Sequence, residues 1–128
     1  MSHITTVKTQ LKDGQVLRHV LKKLGYQVQN NEMLSNRGAS RRRVKVDLLA
    51  TKDRLQLGFK CFGSPTERFD IVADWEDLKG CREKVLNEIF QSYSEEKLIK
   101  LARLKGYAVV KNRTNQKGQI EIVLRKVA

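Results

Sequence analysis

The chain has no long apolar run, a single proline, two cysteines, two histidines and few aromatic residues, which make up 6% of its 128 residues. A bilayer-crossing helix needs about 20 consecutive apolar residues, and none is present. The first ten residues are too polar for a secretory signal, so the chain is expected to stay in the compartment where it is made, the cytoplasm. Cys61 and Cys81 do not stand at metal-ligand spacing, and a reducing compartment would keep both as thiols. His3 and His19 fall on different elements with no further ligand beside them, so neither a metal nor a cofactor is expected. The scarcity of aromatics argues against a binder that stacks single-stranded bases. There is no phosphate-cradling glycine loop, no Gly-x-Ser-x-Gly elbow and no His-Glu-x-x-His, which leaves no catalytic residue to name and favours a binding module over an enzyme.

Acidic residues are also scarce. Fourteen Asp and Glu face 26 Lys and Arg, for a net charge of +12. The excess is uneven: residues 1–60 hold 13 basic and 4 acidic side chains (+9), and residues 61–128 hold 13 and 10 (+3). A one-sided positive field attracts polyanions such as RNA, DNA or an acidic protein face.

A chain of this length fits one domain, residues 1–128, and can bury enough surface to fold without a disulfide or metal. Residues 4–10 alternate as a strand. Asp13 is placed to cap a helix whose apolar stripe is Val16, Leu17, Val20, Leu21 and Leu24, with Gly25 as its left-handed stop. Residues 26–29 read as a short strand and residues 30–40 as a polar loop. Strands are expected over 41–50, 55–61 and 68–75, the last two joined through Gly63-Ser64-Pro65. Residues 82–105 are helical by the stripe Val85, Leu86, Ile89, Phe90 and Tyr93. Ser92 followed by Glu95 resembles a capping box that would kink or split this helix. Gly106 ends it, and residues 107–111 and 119–127 close the chain as a hairpin through Asn115-Gln116-Lys117-Gly118.

The expected fold is therefore α+β, in the order β-α-β-β-β-β-α-β-β. It divides into two β-α-β-β halves forming an antiparallel sheet backed by two helices. The two helix exits read alike, Leu24-Gly25-Tyr26-Gln27-Val28 beside Lys105-Gly106-Tyr107-Ala108-Val109, which suggests an internal repeat. A saddle of this kind would leave one sheet face open to a partner or a second copy.

Two clusters carry chemistry. Asp70, Asp74, Glu76 and Asp77 form the acidic one. Asp70 and Asp74 share a strand face and are conceivable magnesium ligands, while the end of the cluster suits the start of the following helix. Arg37, Arg41, Arg42, Arg43 and Lys45 form the densest basic run. Alternation sends Arg41, Arg43 and Lys45 to the face opposite Val44 and Val46, and arginine forks suit phosphate. Positive charge on a strand edge also discourages edge-to-edge pairing.

The opening Met1-Ser2-His3-Ile4-Thr5-Thr6-Val7-Lys8-Thr9-Gln10 resembles the start of the hypothetical chloroplast reading frame 35 family of algal plastids and cyanobacteria. Further resemblances follow in order: Leu24-Gly25-Tyr26, Arg37-Gly38, Leu57-Gly58-Phe59, Ile71-Val72-Ala73-Asp74-Trp75, Gln91 with Tyr93, Gly106-Tyr107 and Val123 with Arg125. The opening and the Val-Ala-Asp-Trp segment are the specific parts. The family is a conserved domain of unknown function, so the resemblance supplies no catalytic residue. It implies an adaptor or assembly role beside an AAA-type ATPase or another small protein, in line with the gene neighbours of bacterial members. The chain departs from the family where Ser94-Glu95-Glu96 follows Tyr93 in place of a second aromatic, and in being more basic than plastid members.

Three functional expectations follow. The first is a non-enzymatic module that docks on RNA, DNA or a ribonucleoprotein through Arg37, Arg41, Arg42, Arg43 and Lys45. The second is an adaptor of an AAA-type ATPase or other protein complex working through the open sheet face, with homo-oligomers allowed and no membrane partner. The third is a metal-assisted enzyme using Asp70 and Asp74.

Overall fold

A computed structural model describes residues 4–35, 43–53, 55–62, 68–74, 81–114, 117 and 119–127. The elements run β1 (Ile4–Leu11), α1 (Gly14–Lys23), β2 (Gln27–Ser35), β3 (Arg43–Lys52), β4 (Leu55–Phe62), β5 (Arg68–Asp74), α2 (Arg82–Leu104), β6 (Tyr107–Thr114) and β7 (Ile120–Lys126). The α+β class and the element order are those expected. The seven strands fall into two antiparallel sheets: a five-stranded one in the order β1-β5-β4-β3-β2, and the separate hairpin β6-β7. The equivalent strands of the two halves, β1 and β5, lie antiparallel side by side, with Ile4 opposite Asp74 and Val7 opposite Ile71. The halves differ in their hairpins: among the described residues β3 is flanked by β4, whereas β7 is paired only with β6.

Helix α1 follows from its sequence. The Asp13 carboxylate accepts the N–H groups of Gln15 and Val16, and Val16, Leu17, Val20 and Leu21 are buried. At the far end Gly25 has φ 96°. There the Tyr26 N–H bonds the Leu21 carbonyl and the Gly25 N–H bonds that of Lys22, the two bonds of a Schellman stop. Gly106 (φ 82°) repeats the arrangement after α2, its N–H on the Arg103 carbonyl. The core on the helix side of the sheet joins Leu17, Val20 and Leu21 to Leu57, Phe59, Ile71 and Ile89, all fully buried. Each such side chain contributes about 1.5–3 kcal/mol of transfer free energy. Tyr26 is buried at the sheet edge with the Lys52 ammonium 5.5 Å from its ring centre. Burial, and after it the Glu88 carboxylate, raise its phenol above the ordinary tyrosine value.

Three expectations are corrected. Residues 30–35, read as the start of a loop, continue β2, because β3 supplies backbone partners such as Leu48 for Asn30 and Lys45 for Met33. Their polar side chains are exposed, which hides the strand from any apolar pattern. Helix α2 runs unbroken through Ser92 and Glu95, since Tyr93 is buried between Ile89 and Ile99 and holds the helix to the core. The sheet face opposite the helices is not bare. The β2–β3 ribbon bends where Asn31 takes φ 52° and Asp47 faces no paired residue. Its outer half then lays Leu34 and Val46 over Leu49 and Val72, with Ile4 and Val44 at the margin. Gly58 makes the approach possible: a Cβ there would stand 2.6 Å from Val46 Cγ1 and 3.2 Å from the Val72 carbonyl.

Residues 36–42, Gly63-Ser64-Pro65, Trp75 with Glu76 and Asp77, and Asn115, Gln116 and Gly118 lie outside the described residues. No described helix is long and apolar enough to cross a membrane.

Candidate functional site

Of the basic run, Arg43 and Lys45 are described, and Arg37, Arg41 and Arg42 lie outside the described residues. Alternation holds in this part of β3: Arg43 and Lys45 are exposed while Val46 is buried and Val44 half-buried. Their cross-strand neighbours are Ser35 and Met33, the latter also exposed. The outer ribbon thus has an apolar side clamped onto the sheet and a basic side turned to solvent.

At the base of the ribbon lies a polar basin of about 640 Å³, lined among others by Lys12, Asp13, Arg18, Asn31, Asp47 and Lys97. It forms where β1 turns into α1. The Tyr93 hydroxyl oxygen accepts the backbone N–H groups of Lys12 (3.0 Å) and Asp13 (2.8 Å). Lys97 and Lys100, one and two turns further along α2, reach the Asp13 carboxylate at 3.1 and 2.5 Å. Burial alone would raise the Asp13 pKa. Hydrogen bonds from Lys100, the Val16 N–H and Lys97 outweigh it and hold the carboxyl well below the usual carboxylate range. On the opposite wall Asp47 accepts the Cys61 N–H at 2.6 Å where β3 leaves β4, and Arg18 reaches Asn30 at 3.4 Å. Lys12, Arg18 and Lys97 exceed Asp13 and Asp47 by one charge, so the basin suits an anion.

Asp70 has a structural task. Two extra residues bulge β1 between Val7 and Leu11. Asp70, almost wholly buried, accepts the Thr9 N–H within that bulge at 3.2 Å. The Arg68 guanidinium grips the same carboxylate at 3.0 and 3.1 Å. The Thr9 hydroxyl donates to the Phe69 carbonyl and accepts the Leu11 N–H. Asp70 therefore serves a strand irregularity, with an arginine in the place a cation would take. Asp74 ends β5 opposite Ile4 and is buried. Among the described residues no three His, Cys, Asp or Glu side chains gather as a metal site, and Cys61 and Cys81 are not joined in a disulfide.

Sequence reasoning missed the basin. Asp13 signalled itself as a helix cap, but its partners Tyr93, Lys97 and Lys100 are 80 or more residues away.

The family model described as Protein of unknown function (DUF1257) matches residues 20–123. The chain belongs to the DUF1257 family. It is similar to the Uncharacterized protein ycf35 of Pyropia yezoensis, with 28% identity over 130 residues that cover 98% of each chain. No solved structure matches it. The DUF1257 match takes in α2 with its Tyr93, the whole ribbon and most of the C-terminal hairpin. It begins after Asp13, so the anchors on α2 fall inside the matched span and the carboxylate they hold falls outside it.

Proposed function

We propose that this protein is a non-enzymatic docking module for RNA, DNA or a ribonucleoprotein, working in the cytoplasm or, in an alga, in the plastid stroma. The observation that carries the reading is the two-faced ribbon. Leu34, Val44 and Val46 hold one side against the sheet, and Arg43 and Lys45 stand exposed on the other, beside a basin lined by Lys12, Arg18 and Lys97. A two-stranded ribbon has the width of a duplex major groove, and cations along it neutralise phosphates without needing aromatic stacking. In sequence, Arg37, Arg41 and Arg42 fall between β2 and β3, and they belong to the same basic run as Arg43 and Lys45.

The test is binding of the full chain to a labelled RNA and a DNA duplex, with the parent compared to Arg43→Ala/Lys45→Ala and to a variant with Arg41, Arg42 and Arg43 replaced by Ala. Salt-sensitive binding that weakens in both variants is expected. Equal binding by parent and variants would discard the ribbon as the docking element. The alternative, an adaptor working through the open sheet face, would have to use the part of that face the ribbon leaves uncovered.

A further inference from the structure

The last quarter of the chain is more one-sided than either half. Residues 97–128 hold nine Lys and Arg against one acid, Glu121, a net of nine minus one, or +8. Glu121 is taken by Arg113 at 3.0 Å, and Lys97 and Lys100 by Asp13. Arg103, Lys105, Arg125 and Lys126 remain exposed.

The same segment exposes aliphatic surface. Leu98, Leu101 and Leu104 follow one another at three-residue spacing on α2, and Leu104 is 75% exposed. In the hairpin Val110 is 58% exposed and Val127 53%, with Val123 and Leu124 exposed beside them. A two-stranded hairpin is marginal in water unless something covers it. Here α2 packs against the hairpin, and residues 123–127 remain exposed throughout.

The internal repeat indicates what is missing. β3 and β7 are the closing strands of the two hairpins; among the described residues β3 is paired on both edges, by β2 and β4, and β7 on one only, by β6. We propose that the free edge of β7 is a strand-addition site for an extended acidic segment of a partner protein, in which Asp or Glu alternates with apolar residues. The added strand would stand where β4 stands in the first half. Its backbone would satisfy the β7 edge, its carboxylates would lie on the face of Arg125, and its apolar side chains would lie on the opposite face over Leu124.

Other occupants fit less well. A second copy would bring the same +8 against itself. A nucleic acid would satisfy the cations and leave the aliphatic side chains wet, with Tyr107 as the only aromatic of this segment. A lipid surface would leave the backbone groups of the strand edge unpaired.

The experiment titrates the full chain into a labelled peptide of about ten residues, roughly one strand long, alternating Val and Glu. Its Val–Lys counterpart, a single-stranded RNA and anionic phosphatidylglycerol vesicles serve as comparators. Amide hydrogen exchange of β7 is followed in each case. The Val–Glu peptide should bind and protect β7 amides, and the Val–Lys peptide should not. Arg125→Glu/Lys126→Glu, on exposed side chains, should weaken binding at least about tenfold. Leu124→Thr, which keeps strand propensity, should weaken it as well. Arg43→Ala/Lys45→Ala should leave it unchanged, which separates this surface from the ribbon. Unaltered binding by the charge-reversed variant, no protection in β7, or stronger protection of β7 by RNA or vesicles would each overturn the proposal.

Discussion

The hydroxyl oxygen of Tyr93 lies 2.8 Å from the backbone nitrogen of Asp13 and accepts its N–H, with the Lys12 N–H as a second donor at 3.0 Å. One side chain in the middle of α2 thus satisfies two backbone groups at the corner between β1 and α1. Lys97 and Lys100 on the same helix hold the carboxylate at that corner.

Tyr93→Phe keeps the ring in the core and removes the acceptor. Leaving two part-buried N–H groups without a partner should cost about 1–3 kcal/mol. Urea denaturation of the variant against the parent measures it. A loss under about 0.5 kcal/mol would mean that water replaces the hydroxyl at no cost.

Asp13→Asn retains an oxygen for the helix cap and removes the charge. The carboxyl's pKa is lower in the folded chain than in the unfolded one. Its contribution is therefore complete above the unfolded value near 3.8 and is lost as pH falls below that toward the folded value. Stability of the parent should decline as pH drops below about 4, and the variant should show a shallower decline. Thermal melts across that range, at constant ionic strength, read the difference. Asp13→Ala should lose the cap as well, about a further 1 kcal/mol.

Gly58→Ala forces a methyl group against Val46, which belongs to the ribbon bend. Overpacking of this kind costs about 1–3 kcal/mol. Val46→Ala should relieve it, so the double variant should be more stable than the two single losses summed, a coupling that a double-mutant cycle measures. Simple additivity would mean that the ribbon moves away from the sheet without resistance.

The proposed nucleic-acid contact predicts a salt dependence. Each phosphate neutralised contributes about 0.7–0.9 to the slope of log K against log salt. Arg43→Ala/Lys45→Ala should therefore lower the slope by about 1.5. An unchanged slope with weaker binding would show that the two residues act on the ribbon's structure and not on phosphate.

Much of the fold is legible in local pattern. The stripe from Val16 to Leu24 between Asp13 and Gly25 specifies α1 by itself, and the same Gly-Tyr step marks the end of α2. The continuation of β2 is not legible, because Asn30, Asn31 and Glu32 are held by pairing to β3 and carry no apolar alternation. The Ser92–Glu95 pair imitates a helix start in a place where burial of Tyr93 keeps the helix whole. The basin and the β7 edge are illegible for a different reason. One depends on groups 80 residues apart, and the other on which apolar residues of the last elements fail to find cover.

The clamp on Asp13 also sets an order of events. Strand β1 has its partner in β5 and the helix cap has its anchors in Lys97 and Lys100, so the start of the chain closes only onto segments made much later. On the ribosome the first thirty or so residues must wait, and loop closures of this span are slow. A chain cut short before Lys97 would keep the core partners of α1 as far as Tyr93 and lose both ammonium anchors of the Asp13 carboxylate. The final helix is thus the lock that ends folding, and an unfinished chain would present the cationic first half without it.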